Sequence, residues 1–443
     1  MENVLAAESV DRTASAPTKW SRYKYLVIML LFLGWVLGCL DRTIIYFAVP
    51  SIIKEFHLSA TQMGLILSAF FAGYTLMQIP GGMLADRFGP RKIMLVVVFV
   101  WSVFTGLTGL VTSFSAMLAV RFAFGVSEGP FQMAAGKTIA MTYERREIAK
   151  ATSIMLSSSG FVAFLGPIAV AAMIARTGWR QPFFAVAVLG LIVIVLFYLL
   201  MKPEANSGAA ARPGNVLSNA PEAMAFSYKR LFRVPMIWSL VVANFTAYTL
   251  MWGLGSWMPT YLMKFFGVNL KTTGWLQSVP GLAILVGLLF SGFVIDRLSD
   301  GQNKYLAFAG ALLITLFLFM MYRGGIGVKT IIMIQTFISL ALGYLVVYMP
   351  CLVFKKIPVE FIGRTSGTTN GAAQLGSFFA PSVMGLITDL TGGRMIASFA
   401  YLFVMGLILA VCLLTMQTNI TKYLPQPAGS PVPEVPQPSP HGA

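Results

Sequence analysis

Charge is what this sequence has least of: Asp, Glu, Lys and Arg make up 11% of its 443 residues, where a soluble chain carries about 25%. A surface so poor in charge cannot be wetted all round, which excludes an ordinary water-facing globular protein and leaves lipid as the expected surroundings. Histidine is nearly missing, with His57 and His441 alone, too few for a histidine-based metal site or a catalytic triad. The three cysteines, Cys39, Cys351 and Cys412, lie in apolar stretches without CxxC or Cys/His spacing. They read as small buried hydrophobes. No metal triad, nucleophile–base pair or phosphate loop appears, so an enzyme is not expected and no cofactor is called for. A cleavable signal peptide is not expected either. Residues 1–24 are polar and mixed in charge, and the apolar run from Tyr25 is too long for a signal core.

What the chain has instead is apolar length: 57% of its residues are hydrophobic. Runs of about 20 apolar residues span a bilayer core, and twelve can be counted: 25–50, 61–85, 92–113, 115–139, 149–174, 181–202, 236–263, 273–297, 304–323, 329–354, 364–389 and 394–416. The predicted fold is all-α, twelve transmembrane helices in two six-helix bundles, 25–202 and 236–417. A polar segment 1–24 precedes them, a Gly/Ala/Pro/Asn-rich linker 203–235 divides them, and 418–443 reads as a Pro-rich disordered tail. With the N-terminus cytoplasmic, 21 Lys and Arg fall on the cytoplasmic side and 8 on the other. That bias predicts both termini inside, and it accounts for the net charge of +16 without nucleic acid.

The halves share a weak repeat. Gly82, Asp86 and Arg87 stand at the end of the second span, and Gly292, Asp296 and Arg297 at the end of the eighth, at the same spacing. Parallel six-helix halves with matching loops are a known transporter organisation. The segment Gly81–Lys92 (GGMLADRFGPRK) resembles the signature loop of the major facilitator superfamily, GxLaDrxGrk, through Gly82, Leu84, Ala85, Asp86, Arg87, Gly89, Arg91 and Lys92. The resemblance implies a conformational latch built from Gly82, Asp86, Arg87 and Arg91, with Asp296 and Arg297 in the second half. Four further segments resemble the anion:cation symporter branch, which includes bacterial sugar-acid transporters: LDRTIIYFAVPSI (40–52), RFAFGVSEGPF (121–131), WMPTYL (257–262) and NGAAQLGSFFAPSVMGLITDLTG (370–392). Many members of that branch carry Asn-Tyr where this chain has Gly38-Cys39, and Asn or Gln near Ser158.

Four charges lie inside predicted spans: Asp41 and Arg42 in the first, Arg121 and Glu128 in the fourth. Each costs roughly 2.5–3.5 kcal/mol at a helix centre, reduced by pairing or cavity water, so they are functional candidates, with an ion-pair staple between helices as the structural alternative. Arg121 and Glu128 are seven apart, about 20° from one face and about 10.5 Å along the axis. By resemblance to the sugar-acid symporters, Arg42 would grip the substrate carboxylate, Asp41 and Glu128 would take up the coupling protons, and Arg121 would trade partners between Glu128 and substrate. Asn370 and Gln374, four apart on one face, are candidates for substrate hydroxyls, as are Tyr46, Tyr74 and Ser158, each weighed against plain packing. Lys137 reads either as a snorkelling residue or as a substrate contact.

The leading expectation is a proton-coupled importer of an organic anion (a hexonate, hexuronate or aldarate) working as a monomer in a bacterial inner membrane. An aromatic or dicarboxylic acid, or anion exchange, stays open, with cavity-facing Phe or Trp favouring the aromatic acid. A non-transporting enzyme or receptor is the least favoured class.

Overall fold

The computed structural model describes residues 19–202, 234–357 and 359–417. Residues 1–18, the expected linker over 203–233 and the expected tail from 418 lie outside the described residues. Thirteen helices follow in order: α1 (Lys19–Phe56), α2 (Ala60–Leu76), α3 (Gln78–Phe88), α4 (Pro90–Thr108), α5 (Phe114–Thr142), α6 (Arg145–Thr177), α7 (Gln181–Leu200), α8 (Pro235–Phe265), α9 (Leu270–Arg297), α10 (Asp300–Arg323), α11 (Val328–Lys356), α12 (Val359–Leu390) and α13 (Met395–Thr415).

They make twelve crossings, because α2 and α3 are one span bent by 44°. The break has a local cause. Pro80 has no N–H to bond the carbonyl of Leu76, and its ring clashes with that carbonyl, so Met77 leaves helical geometry at φ −93°, ψ 1°. Starts are equally local. Ser59 and Gln62 form a capping box at α2, Ser299 and Gln302 one at α10, and Asn269 caps α9. Among the described residues, nine helices are apolar enough to cross a membrane and the bent pair makes a tenth. α5 and α12 fall short of that standard: α5 carries Arg121, Glu128 and Lys137, and α12 is rich in Gly, Ser and Thr. These two helices carry most of the polar site described below.

The ends of α1 and α13 outside the membrane core, Lys19 and Thr415, share one face, here termed the terminal face; the loop from α1 to α2 lies on the opposite, distal face. Within the first half α1 packs on α6, and α5 on α2 and α4; within the second, α8 packs on α12, and α10 on α13. The halves meet crosswise, α2 with α12 and α6 with α9. Both crossings run glycine against a proline carbonyl. A Cβ on Gly64 would stand 2.5 Å from the carbonyl oxygen of Pro381, and one on Gly274 would stand 2.6 Å from that of Pro167. Only a residue without a Cβ permits this approach.

The α2–α12 crossing is also hydrogen-bonded. The Ser68 hydroxyl donates to the Phe378 carbonyl at 2.5 Å, and the Ser382 hydroxyl donates to Ser68 at 2.7 Å. Asp389 closes the distal end: its carboxylate accepts from the Ala60 N–H at 3.0 Å, the Thr61 N–H at 2.7 Å and the Thr61 hydroxyl at 2.6 Å. A residue from the second half thus caps a helix of the first. The α12 face that meets α2 at Phe378 and Pro381 continues through Gln374, Asn370, Gly371 and Gly367. A Cβ at Gly371 or Gly367 would meet nothing within 4 Å, and the same holds for Gly136 on α5 and Gly292 on α9. The halves are therefore tied together at the distal end, and these four glycines have space beside them.

Candidate functional site: a buried charge quartet between the halves

Asp41 and Arg42 are neighbours on α1, so their side chains leave the helix about 100° apart and reach different partners on α5. Arg121 Nη1 donates to Asp41 Oδ2 at 2.5 Å. Arg42 Nη2 donates to Glu128 Oε1. Side chains on α1 lean towards its N-terminus, which carries Arg42 down to Glu128, while Arg121 sits nearer the distal face. Relative exposure is 1% for Asp41, 8% for Arg42, 1% for Arg121 and 2% for Glu128. Two cations and two carboxylates leave the quartet neutral.

The pairs are not fully satisfied. Asp41 Oδ1, Glu128 Oε2, Arg42 Nε and Arg121 Nε are buried without a hydrogen-bond partner among the described residues. Each carboxylate thus has one oxygen held by an arginine and one buried without a partner among those residues, a costly arrangement for a buried charge. Rings replace part of the missing solvation. The Arg42 guanidinium lies 4.9 Å from the Phe70 ring centroid, 5.7 Å from Trp252 and 5.9 Å from Tyr74. Arg121 lies 4.8 Å from Phe124 and 5.7 Å from the same Phe70. Phe70 therefore serves both cations.

Gly38 makes the Glu128 position available. A Cβ there would stand 2.6 Å from Glu128 Oε1, so the Gly that departs from the branch pattern leaves room for this carboxylate.

Tyr74 is buried and its hydroxyl donates to Gln132 Oε1 at 2.8 Å. Gln132, one turn beyond Glu128 on α5 and half-buried, keeps its amide nitrogen unpartnered among the described residues. Tyr46 is buried next to α1's charges. Asn370 is half-buried and Gln374 buried on the opening face of α12, and neither amide has a partner among the described residues. Ser158 is turned away, fully enclosed, with its hydroxyl donated back to the Met155 carbonyl at 2.5 Å. Trp257 packs, donating to the Pro381 carbonyl at 3.1 Å.

At the terminal face the repeated loops make equivalent ion pairs inside each half. Asp86 pairs with Lys137 on α5 at 2.8 Å, and Asp296 with Lys355 on α11 at 3.3 Å. Lys137 also donates to the Ala85 carbonyl at 3.1 Å, so it is tied to the loop rather than aimed at the quartet. Arg91 donates to the Tyr198 carbonyl at 2.7 Å, and Arg87 and Arg297 lie over Phe88 and Phe293. A Cβ added on Gly82 would stand 4.0 Å from the Met133 side chain.

Sequence reasoning missed Gln132, Phe70 and Trp252. Gln132 was findable as the residue four beyond Glu128. The aromatics were not, because an aromatic in an apolar span reads the same facing lipid, core or cavity.

Residues 31–381 match the model of the Major Facilitator Superfamily, a stretch that contains the quartet and both crossings. The chain belongs to the Major Facilitator Superfamily. It is an integral membrane transporter and not an enzyme. This superfamily member is similar, at 27% identity over 86% of each chain, to a probable L-galactonate transporter of Escherichia coli strain K12. It is 27% identical, over 89% of its own length and 97% of the relative's, to a probable galactarate/D-glucarate transporter of the same strain. Among solved structures, the crystal structure of a D-xylose-proton symporter superposes with a TM-score of 0.74 at 17% identity, covering 91% of this chain and 98% of that one. That likeness concerns the fold.

Proposed function

We propose that this chain is a proton-coupled symporter importing a sugar acid by alternating access. One observation carries the reading: a neutral, buried two-by-two charge quartet at the edge of the space between the halves, with one unpartnered oxygen on each carboxylate. Protonating Glu128 at its free oxygen removes the charge that holds Arg42. Arg42 then has a planar, bidentate face for a substrate carboxylate. Arg121, covered by Phe70 and Phe124, keeps its pairing with Asp41 through this step. Asn370, Gln374 and Gln132 supply donors and acceptors for hydroxyls, with Tyr46 and Tyr74 beside them. Supporting names come from the relatives, described as transporters of L-galactonate and of galactarate/D-glucarate.

The Lys/Arg bias makes the terminal face cytoplasmic, in a bacterial inner membrane and with the monomer as the working unit. The arrangement seen, sealed distally, is then the inward-open state. The loops carrying Asp86, Arg87 and Arg91, and Asp296 and Arg297, close that face in the opposite state.

Two measurements follow. In proteoliposomes with an inward proton gradient, a labelled sugar acid should accumulate and the accumulation should collapse with a protonophore. Uptake insensitive to the protonophore and dependent on preloaded anion would leave an exchanger. An aromatic-acid reading has Trp252 over Arg42 in its favour, and aromatic acids belong in the same panel.

The second measurement concerns the distal seal. A lost cap costs about 1 kcal/mol, so Asp389→Ala should raise the distally open population about fivefold. Labelling of a cysteine placed at Ser382 by an impermeant maleimide added to the periplasmic side should accelerate accordingly. Unchanged labelling would show that Asp389 does not hold the seal.

A further inference from the structure

We infer that the transported anion carries a single carboxylate, a hexonate or hexuronate rather than an aldarate. This rests on the sugar-acid symport reading and narrows it. Few cations lie within reach of a substrate between the halves. Among the described residues, every charge near the midplane belongs to the first half. On α8 the one charged residue is Lys264, next to its distal end, and α13 has none. On α12 the innermost cation is Arg364, six residues and about 9 Å along the axis from Asn370 towards the terminal face. Lys137 lies nine residues beyond Glu128, about 13.5 Å along α5, and is held by Asp86 and the Ala85 carbonyl.

Two guanidiniums remain, and they are not equivalent. Arg121 is 1% exposed, paired with Asp41 and covered by Phe70 and Phe124. Arg42 is the more exposed of the two and faces Trp252 across the boundary between the halves. A substrate therefore finds one cation, Arg42. The other polar groups of the candidate site are neutral amides and hydroxyls: Gln132 bonded to Tyr74, Asn370 and Gln374 on α12, and Tyr46 on α1.

Charge balance gives the same answer. The empty quartet is neutral. One proton on Glu128 makes it +1, and a monocarboxylate restores neutrality for the passage through an occluded state. A dicarboxylate would leave a net negative charge there, with its second carboxylate facing amides alone. Amides satisfy hydroxyls but do not compensate a desolvated charge. Neutralising it through Asp41 would require Arg121 to reach the substrate through the rings that cover it.

The test compares matched pairs, D-galactonate with galactarate and D-gluconate with D-glucarate, together with D-glucuronate, in proteoliposomes of the full chain. At least one monocarboxylate should accumulate, and its matched aldarate should show a kcat/KM lower by about a hundredfold or more. Adding a cation should close the gap. Asn370→Lys and Gln374→Lys, made separately, should each raise aldarate uptake relative to the monocarboxylate by about tenfold, and one of them suffices. An aldarate carried as well as its monocarboxylate by the unaltered chain overturns the narrowing and leaves the sugar-acid reading standing. If both lysine variants carry the monocarboxylate and neither narrows the gap, the charge argument fails. Accumulation of no sugar acid of either kind overturns both readings together.

Discussion

Arg42→Ala should abolish uptake, a loss of about a thousandfold in kcat/KM. Truncating one partner of a buried, hydrogen-bonded charge pair costs about 2–5 kcal/mol, and here it also removes the one cation a substrate can reach. The change strands Glu128 as an unpaired carboxylate beside Gly38, so poor folding alone would mimic the result. The double variant Arg42→Ala/Glu128→Gln separates the two: with no stranded charge it should insert and purify normally, yet still fail to transport. Arg42→Lys keeps the charge but not the planar fork that meets a carboxylate, nor the stacking over Phe70, Tyr74 and Trp252. It should restore stability and leave uptake at least about tenfold down. Wild-type uptake by either variant would remove Arg42 from the binding site.

Glu128→Gln should split transport into its parts. Glutamine is the neutral isostere of protonated glutamate, so it leaves Arg42 permanently available and takes the proton step away. Counterflow between preloaded and external substrate should survive within about tenfold of the unaltered chain. Accumulation driven by a pH gradient should vanish, with the internal-to-external ratio held near one. Substrate affinity should also lose its dependence on pH where Glu128 governs it. A purely structural ion-pair staple predicts a different pattern, with counterflow and accumulation falling together as the helices loosen. Retained pH-driven accumulation by Glu128→Gln would end the coupling role.

Much of the fold could be read before any coordinates, because bilayer thickness imposes a length on each span and leaves a strong signal of about 20 apolar residues. The break at Met77 was readable too, in Pro80, once the carbonyl it opposes is identified. What composition hid was the reason α5 and α12 are poor in apolar residues: they line the opening between the halves. The crosswise contact of Gly64 with Pro381 and of Gly274 with Pro167 is a second repeat, stronger physically than the loop repeat but scattered over four spans, where isolated Gly and Pro carry no visible register.

The quartet shows the same division. Four ionisable residues in two apolar spans announced themselves by cost. Which cation meets which carboxylate did not, since that depends on the relative rotation and height of α1 and α5. The observed pairs are Arg42 with Glu128 and Arg121 with Asp41. Gly38 gains meaning only once Glu128 is found against it. Ser158 offered a hydroxyl at the right depth, but in the structure that hydroxyl bonds its own helix, as buried serines in helices commonly do. The contribution of the second half was the least readable part, because its polar groups are amides and rings that cost little to bury.

The account stands on the quartet moving a proton with the anion, and proton movement can be watched directly. Proteoliposomes loaded with a pH-sensitive dye, at equal pH on both sides and with membrane potential clamped, should acidify inside when a transported sugar acid is added outside. Glu128→Gln vesicles of equal protein content should not. Substrate entry into unaltered vesicles without any internal acidification would contradict proton coupling through Glu128.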